Sequence, residues 1–474
     1  MSIARRLAEL AIRTPEAALS PSTREAALKM LLDTCGCAYC GRDAPGIPEL
    51  IQLELELGAG GRGRVFFSEE KLALPSAAYC NAAMIHALDF DNNYSAADIH
   101  ILSIVVPVAV ACGEETGATG REVLAAITLG VEVAARIAKP YMRAKRPHAY
   151  FLTTSLVGGW GGVAAAARLL GLSIDQTVDA IGVYYAHTSG NRQALLERAL
   201  TKRIQPAIAA KASLYSAMLA RRGVTGPEET FEGKGGFYRC YTQNDPPAEE
   251  EFTSSTIRAM EELAVKQFPT CGVHHANIVS AMELKREHGF EAGDIERVEF
   301  FLNEGGGTLV SMPFAPGRFP QIDAQFCAPY AIALALVKGA VSVRDFHPKR
   351  VVEDRQVAEL AKRTVEFDRF ADLKLTRYPE PTPDMKYTKV LLKDGRVFER
   401  GHLSDPLNQA SAMNLDQVRD KFRECVSMYE EVDSETTKKL TDAILDIENA
   451  GDIREWVQAT LGSVAETVAE ECGA

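Results

Sequence analysis

Apolar positions along the first 265 residues recur at helical spacing, with abundant Ala and few β-branched runs. Ser22 to Cys40 opens with Ser-Thr-Arg-Glu, a capping-type signal, and continues as an amphipathic helix. Pro75 to Leu88 is Ala-rich and apolar. Gly120 to Ala138 places Val123, Ile127, Val131 and Ala134 on one helical face. Leu124, Leu129 and Val133 make its other faces apolar too, which predicts a buried helix. Ser155 to Leu172 and Ile204 to Arg222 have the same character.

The pattern changes near residue 265. IERVEFFLN (295–303) and RTVEFD (363–368) read as strands, and KYTKVLLKDGRVFERG (386–401) as a hairpin turning at Asp394-Gly395. Helices are predicted between them at 275–288 and 325–338, and residues 373–385 form a Pro-rich loop. From about 414 the chain reads as helical, polar and charged. The fold class is therefore mainly α with α+β. A large discontinuous helical domain comprises 1–265 and a C-terminal return at 404–474, with a smaller α+β lid inserted at 266–403. Such an arrangement usually places a site in the intervening cleft.

Composition narrows the partners. Lys+Arg total 52 against Asp+Glu 64, a net charge of −12. No basic excess exists for nucleic acid or anionic lipid. A polyanionic substrate would need a local basic focus, so a positive cleft on a negative surface is expected. The 10 Cys are too sparse for a disulfide scaffold and imply a reducing, cytoplasmic compartment. Cys35, Cys37 and Cys40 lack the fourth ligand and spacing of usual cluster motifs, so they are read as small buried helix residues. The N-terminus lacks the apolar core of a secretory signal. No apolar run reaches the ~18 residues of a membrane span. The glycines at 158–162 and 304–307 lack the strand–turn–helix context of phosphate loops, and read as close helix packing and loop.

Four segments can carry chemistry. HALDFDNNYSAADIHILS (86–103) sets Asp89 and Asp91 ahead of His100 at the mouth of an apolar helix. Carboxylates and an imidazole there can supply a proton donor and acceptor. The two Asp serve equally well as helix caps with His100 solvated. A metal reading lacks a clear further ligand. TKRIQP (201–206) sets Lys202 and Arg203 at a helix start, where dipole and side-chain charge favour an anion, or where a solvated turn would do. FPTCGVHHANIVSA (268–281) places His274 and His275 before an apolar helix, one facing in and one out. In PQIDAQFCAPYAIALAL (320–336), Tyr330 sits among small apolar residues and needs a partner for its phenol.

Taken together, these segments resemble the MmgE/PrpD family. The resemblance covers most of the chain through HALDFD (86–91), GATGREVLAAITLGVEVAARI (117–137), AAAARLLGLS (164–173), TKRIQP, GVTGPEETFEG (223–233), FPTC-HH and AQFCAPYAIALAL. It implies a helical domain with an α+β lid, a homodimer, and an interface active site with no cofactor and no obligatory metal. The family's functional residues fall on Asp89, His100, Lys202, His275 and Tyr330. Asn93, Thr154, Arg203 and His274 are the accompanying substrate-binding candidates. Two positions depart from the family pattern. Asn93 stands where Thr is frequent, and Leu152 replaces the His of G-x-H-P-T, with Thr154 retained. His148 lies four residues earlier. Arg143, Lys145, Arg146 and Arg192 are further cations that could reach the site.

The family includes 2-methylcitrate dehydratase, cis-aconitate decarboxylase and iminodisuccinate epimerase. Their shared chemistry is proton transfer next to a carboxylate. The resemblance implies a dehydratase-type lyase on a small di- or tricarboxylate, with an epimerase or a decarboxylase as alternatives. A catalytically silent binding or scaffold member is the alternative of another class. In the leading scheme Lys202 stabilises the developing anion and His100, oriented by Asp89, moves the proton. His275 acts on the opposite face and Tyr330 orients a carboxylate.

Overall fold

The computed structural model describes residues 1–144, 150–302, 310–366, 386–402, 413–428 and 432–462. Lys145, Arg146, His148 and the Pro-rich stretch 373–385 lie outside them. The protein is mainly helical with three small sheets among the described residues. Its apolar interior divides in two. One core is built by the helices before residue 266 together with helices of the C-terminal return, such as Leu415–Val426 and Ile453–Leu461. The other draws on residues 268–392, joined by Leu195.

The first core follows the apolar pattern closely. The helix expected at 22–40 spans Pro21–Gly41, capped by Ser20, whose hydroxyl accepts from the Thr23 N–H. The helix expected from Gly120 runs to Arg143 behind a Thr119–Glu122 capping box, and is buried on nearly every face. The segment expected as one helix at 155–172 is divided at Gly158 into Thr153–Val157 and Gly159–Leu169. Its glycines permit close packing. A Cβ on Gly161 would lie 2.6 Å from the Gly130 carbonyl oxygen, and one on Gly130 2.7 Å from that of Gly161. The helix expected from Ile204 begins earlier, at Thr201. Lys202 and Arg203 therefore stand in its first turn, and it packs against the helix Leu74–His86.

In the second core, Ile295–Phe301 is one of the two inner strands of a four-stranded sheet. It pairs parallel with Thr364–Glu366 and antiparallel with Lys386–Leu392, which pairs onward with Val397–His402. Gly395, with φ of 88°, makes the hairpin turn where Asp394-Gly395 predicts it. The helices His275–His288 and Ala328–Lys338 pack together beside this sheet. No described helix is long and apolar enough to cross a membrane.

Candidate active site

The helix Leu74–His86 ends one turn before the residue on which the site is centred. Asp89 has φ of 52°, the left-handed region that L-residues enter at a cost and that Asp tolerates better than most. Two ammonium groups hold its carboxylate. Lys202 Nζ donates to Oδ1. Lys266 Nζ donates to Oδ2 at 2.6 Å, to the Asp89 carbonyl at 2.8 Å and to the Thr270 carbonyl at 3.0 Å. All three side chains are buried. Burial alone would raise the Asp89 pKa, but Lys202 and then Lys266 outweigh it and hold the carboxyl well below the ordinary range. Burial likewise works against the Lys266 charge, and Asp89 reverses the balance, raising its pKa.

The imidazoles beside this pair have protonation states that their partners dictate. His86 Nδ1 lies 3.0 and 3.1 Å from the two Asp91 oxygens, which only accept. Nδ1 therefore carries hydrogen, and the lone pair on Nε2 accepts from Lys202 Nζ at 3.0 Å. Burial, reinforced by Lys202 and opposed by Asp91, pushes His86 down to about 4, so it is neutral at pH 7. His100 stacks edge-on against it, with ring centres 4.9 Å apart. His100 Nδ1 donates to the Asn92 carbonyl at 3.0 Å and the Asp91 carbonyl at 3.3 Å, and lies 3.3 Å from Asp91 Oδ2. Neutral His100 thus keeps its lone pair on Nε2. The carboxylate that orients it is Asp91, whereas Asp89 is engaged by the lysines. Burial would raise Asp91, and His100 and His86 outweigh that, holding it far below the carboxylate range.

His86, Asp89 and His100 bring donor atoms within 4.8 Å of one another, the one such grouping among the described residues. The donor set suits a cation poorly. Lys202 already bonds His86 Nε2 and Asp89, and Lys266 holds the second Asp89 oxygen. A divalent ion there would face two ammonium groups across one carboxylate.

The other expected residues divide. Thr154 Oγ1 accepts the His100 N–H at 3.1 Å, so the 152–154 segment lies against the site. His275 Nε2 donates to the Thr270 carbonyl at 3.3 Å, the same oxygen that Lys266 engages, and its Nδ1 is buried without a partner. His274 is wholly buried with neither ring nitrogen bonded, and burial, then Lys266, lowers it to about 3. Asn93 is buried beside Ala264 in a two-strand pairing, its Oδ1 unpartnered. Arg203 reaches the Pro45 carbonyl and the side chains of Gln321 and Gln325, so it ties the two cores together. Arg143 and Arg192 pair with Glu251 and Asp98. Tyr330 stands apart: its ring packs 4.4 Å from Phe314 and 6.1 Å from Phe346. Among the described residues no hydrogen bond joins it to the Asp89 group.

Lys266 and His86 escape the reading from sequence. His86 opens the HALDFD run, and Lys266 stands in the apolar stretch LAVKQF two residues before FPTC. A lysine flanked by Leu, Ala, Val and Phe is the signal that would have found it, since buried Lys is rare without a partner. Of the cations expected from the sequence Lys202 is in place, joined by Lys266, whereas burial holds His275 neutral, and together they do not form an open positive cleft. Lys202 and Lys266 share the Asp89 carboxylate, Asp91 is engaged by His86 and His100, and the group is enclosed, with His100, the most exposed member, 8% accessible.

Comparison with known proteins identifies the family of the chain. Residues 5–250 match the MmgE/PrpD N-terminal domain and residues 268–447 the MmgE/PrpD C-terminal domain. The chain is 25% identical over 460 residues to the cis-aconitate decarboxylase-like protein oryM of Aspergillus oryzae, covering 92% of each. It is 27% identical over 421 residues to cis-aconitate decarboxylase of Mus musculus, covering 83% of this chain and 80% of that protein. With cis-aconitate decarboxylase of Aspergillus terreus it shares 24% over 455 residues, 90% of each. The two matched domains account for most of the chain in order, and the protein belongs to the MmgE/PrpD family.

Proposed function

We propose that the protein is a lyase acting on a small polycarboxylate, with proton transfer at a carbon next to a carboxylate. The observation that carries this reading is His100, held through Nδ1 by the Asn92 carbonyl, beside a carboxylate held by two buried ammonium groups. A substrate carboxylate takes the place of the Asp89 side chain between Lys202 and Lys266. There it keeps two positive charges in a water-poor environment where they stabilise an anion strongly. His100 moves the proton, and its imidazolium is stabilised by Asp91 and the Asn92 carbonyl.

The resemblance pointed first to dehydration. The names of the relatives favour decarboxylation of cis-aconitate instead. In that reaction the bond to one carboxyl carbon breaks and carbon dioxide leaves. The electron pair spreads into the remaining conjugated acid, and His100, first protonated at Nε2 from solvent, delivers that proton to carbon. Epimerisation is the second reading, favoured by Leu152. The missing His would have stood on the segment that lies against His100, and epimerisation needs only two groups on opposite faces. The reading includes a homodimer and no cofactor.

Proton NMR in deuterated water, with a panel of di- and tricarboxylates headed by cis-aconitate, tests it. Vinyl product with carbon dioxide release and deuterium at carbon is expected. Vinyl signals arising only from hydroxy acids would assign dehydration, and exchange without a new product would assign epimerisation. Inertness toward the whole panel would remove the enzyme reading.

A further inference from the structure

The loop that carries Asp89, Asp91 and the carbonyls gripping His100 is held from its outer side by residues remote in sequence. Lys421, on the helix Leu415–Val426, donates to the Phe90 carbonyl at 2.7 Å and pairs with Asp33 Oδ1 at 2.6 Å. Its ammonium also lies 3.8 Å from the centre of the Phe90 ring. Asp33 and Thr34, on the helix Pro21–Gly41, accept from Asn92 Nδ2 at 3.3 and 3.1 Å. Asn92 thereby bonds outward through its side chain and inward through its carbonyl, which receives His100 Nδ1 at 3.0 Å. Lys421, Asp33 and Asn92 are all buried.

Burying a Lys–Asp pair between two helices is costly, and apolar side chains of similar volume would pack the same gap. The pair is well formed nonetheless. Burial pushes the Asp33 carboxyl up in spite of Lys421, whereas at Lys421 Asp33 outweighs burial and raises the ammonium above an ordinary lysine; the 2.6 Å contact itself carries the pair. The Phe90 carbonyl that Lys421 engages lies between the residue on the lysines and the residue on His100. Fixing it fixes the direction of the Asp91 and Asn92 carbonyls. Those carbonyls only accept, so their direction decides which nitrogen of His100 bears hydrogen.

We infer that Lys421 is a positioning residue for proton transfer at His100. Asp33 is its counter-charge, and Lys421 acts by locking the Phe90–Asn92 backbone so that Nδ1 stays protonated and Nε2 stays bare. The inference rests on the proposed role of His100. It makes the C-terminal helical return a part of the site's support.

The test compares two variants. Asp33→Asn leaves Lys421 able to donate to the Phe90 carbonyl, and its amide oxygen can still accept from Asn92. Asp33→Asn/Lys421→Met removes the donor without stranding a buried charge. Histidine-15N spectra of the ligand-free enzyme, with His100 assigned by its loss in His100→Gln, report the tautomer directly. The wild type and Asp33→Asn are expected to show unprotonated Nε2 alone, and the double variant a mixture of both tautomers. Once a turned-over polycarboxylate is in hand, the double variant should lose about tenfold or more in kcat with KM within about twofold, and Asp33→Asn should stay within about threefold of wild type. An unchanged His100 spectrum in the double variant overturns the inference, as does an equal kcat loss in both variants. If the double variant does not fold, Asp33→Asn/Lys421→Leu removes the same donor to the Phe90 carbonyl with a different apolar side chain, and an unaltered His100 tautomer there overturns it equally. Because the spectra need no substrate, a panel that fails to react while the tautomer shifts as expected counts against the proposed function alone.

Discussion

Lys202 and Lys266 hold opposite oxygens of a single carboxylate, that of Asp89. Lys202 comes from the first turn of a helix in the large core, whereas Lys266 stands where the chain passes into the second. An anion bound between them is therefore fixed by both parts of the molecule. Lys266→Met is expected to lower kcat/KM by about a hundredfold, comparable with loss of one oxyanion donor. Lys202→Ala should abolish turnover with the fold retained. Steady-state kinetics on whichever polycarboxylate the NMR panel identifies checks both. Activity within a few fold of wild type for Lys266→Met would leave it a structural tether.

Asp89 also serves as counter-ion to these lysines while no substrate is bound. Asp89→Asn leaves two buried ammonium groups without a charge partner, and breaking such a pair costs about 3–5 kcal/mol. A polycarboxylate that occupies the gap should restore part of that loss. The expected result is a lower Tm for Asp89→Asn, with a rise on adding cis-aconitate that exceeds the rise in wild type. Equal ligand-induced shifts would show that the substrate does not displace Asp89.

Much of this arrangement was legible in the sequence, because helix spacing, cap residues and the Asp-Gly turn are local signals. The helix Pro21–Gly41, the strand Ile295–Phe301 and the hairpin at Gly395 follow from them. What escaped is set by long-range contact. Nothing near Asp89 says that Lys266, 177 residues away, shares its carboxylate with Lys202. Nothing near His100 says that Asp91 rather than Asp89 orients it, since both stand in one short loop, and the left-handed turn at Asp89 is not a signal the sequence announces. Arg203 looked like a partner of Lys202 because the two are adjacent. One residue along a helix turns a side chain by about 100°, and Arg203 reaches Gln321 and Gln325 instead.

Acid should destabilise the fold well before its carboxylates titrate. His86 and His274 are buried neutral, at about 4 and about 3 against 6.5 for an ordinary histidine. Burial lowers His275 in the same direction. Their folded values lie below the unfolded one, so the unfolded chain binds more protons between the two. The stability they contribute is complete above pH 6.5 and is lost as pH falls toward 4 and 3. His86 alone accounts for roughly 3 kcal/mol across its window. Asp89 and Asp91, held low, extend the loss below pH 4. His274→Leu removes one such group and two unpartnered ring nitrogens. It should raise stability by about 1 kcal/mol at pH 7, and by more at pH 5. Urea unfolding at the two pH values checks this, and a variant less stable than wild type at pH 5 would contradict it.

Tyr330 provides the sharpest separation between resemblance and geometry. The A-x-F-x-x-x-Y pattern assigns its phenol to a substrate carboxylate, which requires reach toward Lys202 and Lys266. In the structure the ring lies within the second core against Phe314 and Phe346. Burial raises the phenol's pKa, and the charged groups that add to the rise are Asp354 and then Asp345, not the site lysines. A hydroxyl in that setting contributes packing and about 1 kcal/mol of hydrogen bonding at most. Tyr330→Phe is therefore expected to change kcat and KM by less than about twofold, while a residue that binds the reacting carboxylate would cost about a hundredfold. Kinetics of Tyr330→Phe beside Lys202→Ala on the same substrate decides between them. A loss above about tenfold in kcat/KM would return Tyr330 to the site, and would mean that the second core shifts toward Asp89 when substrate binds.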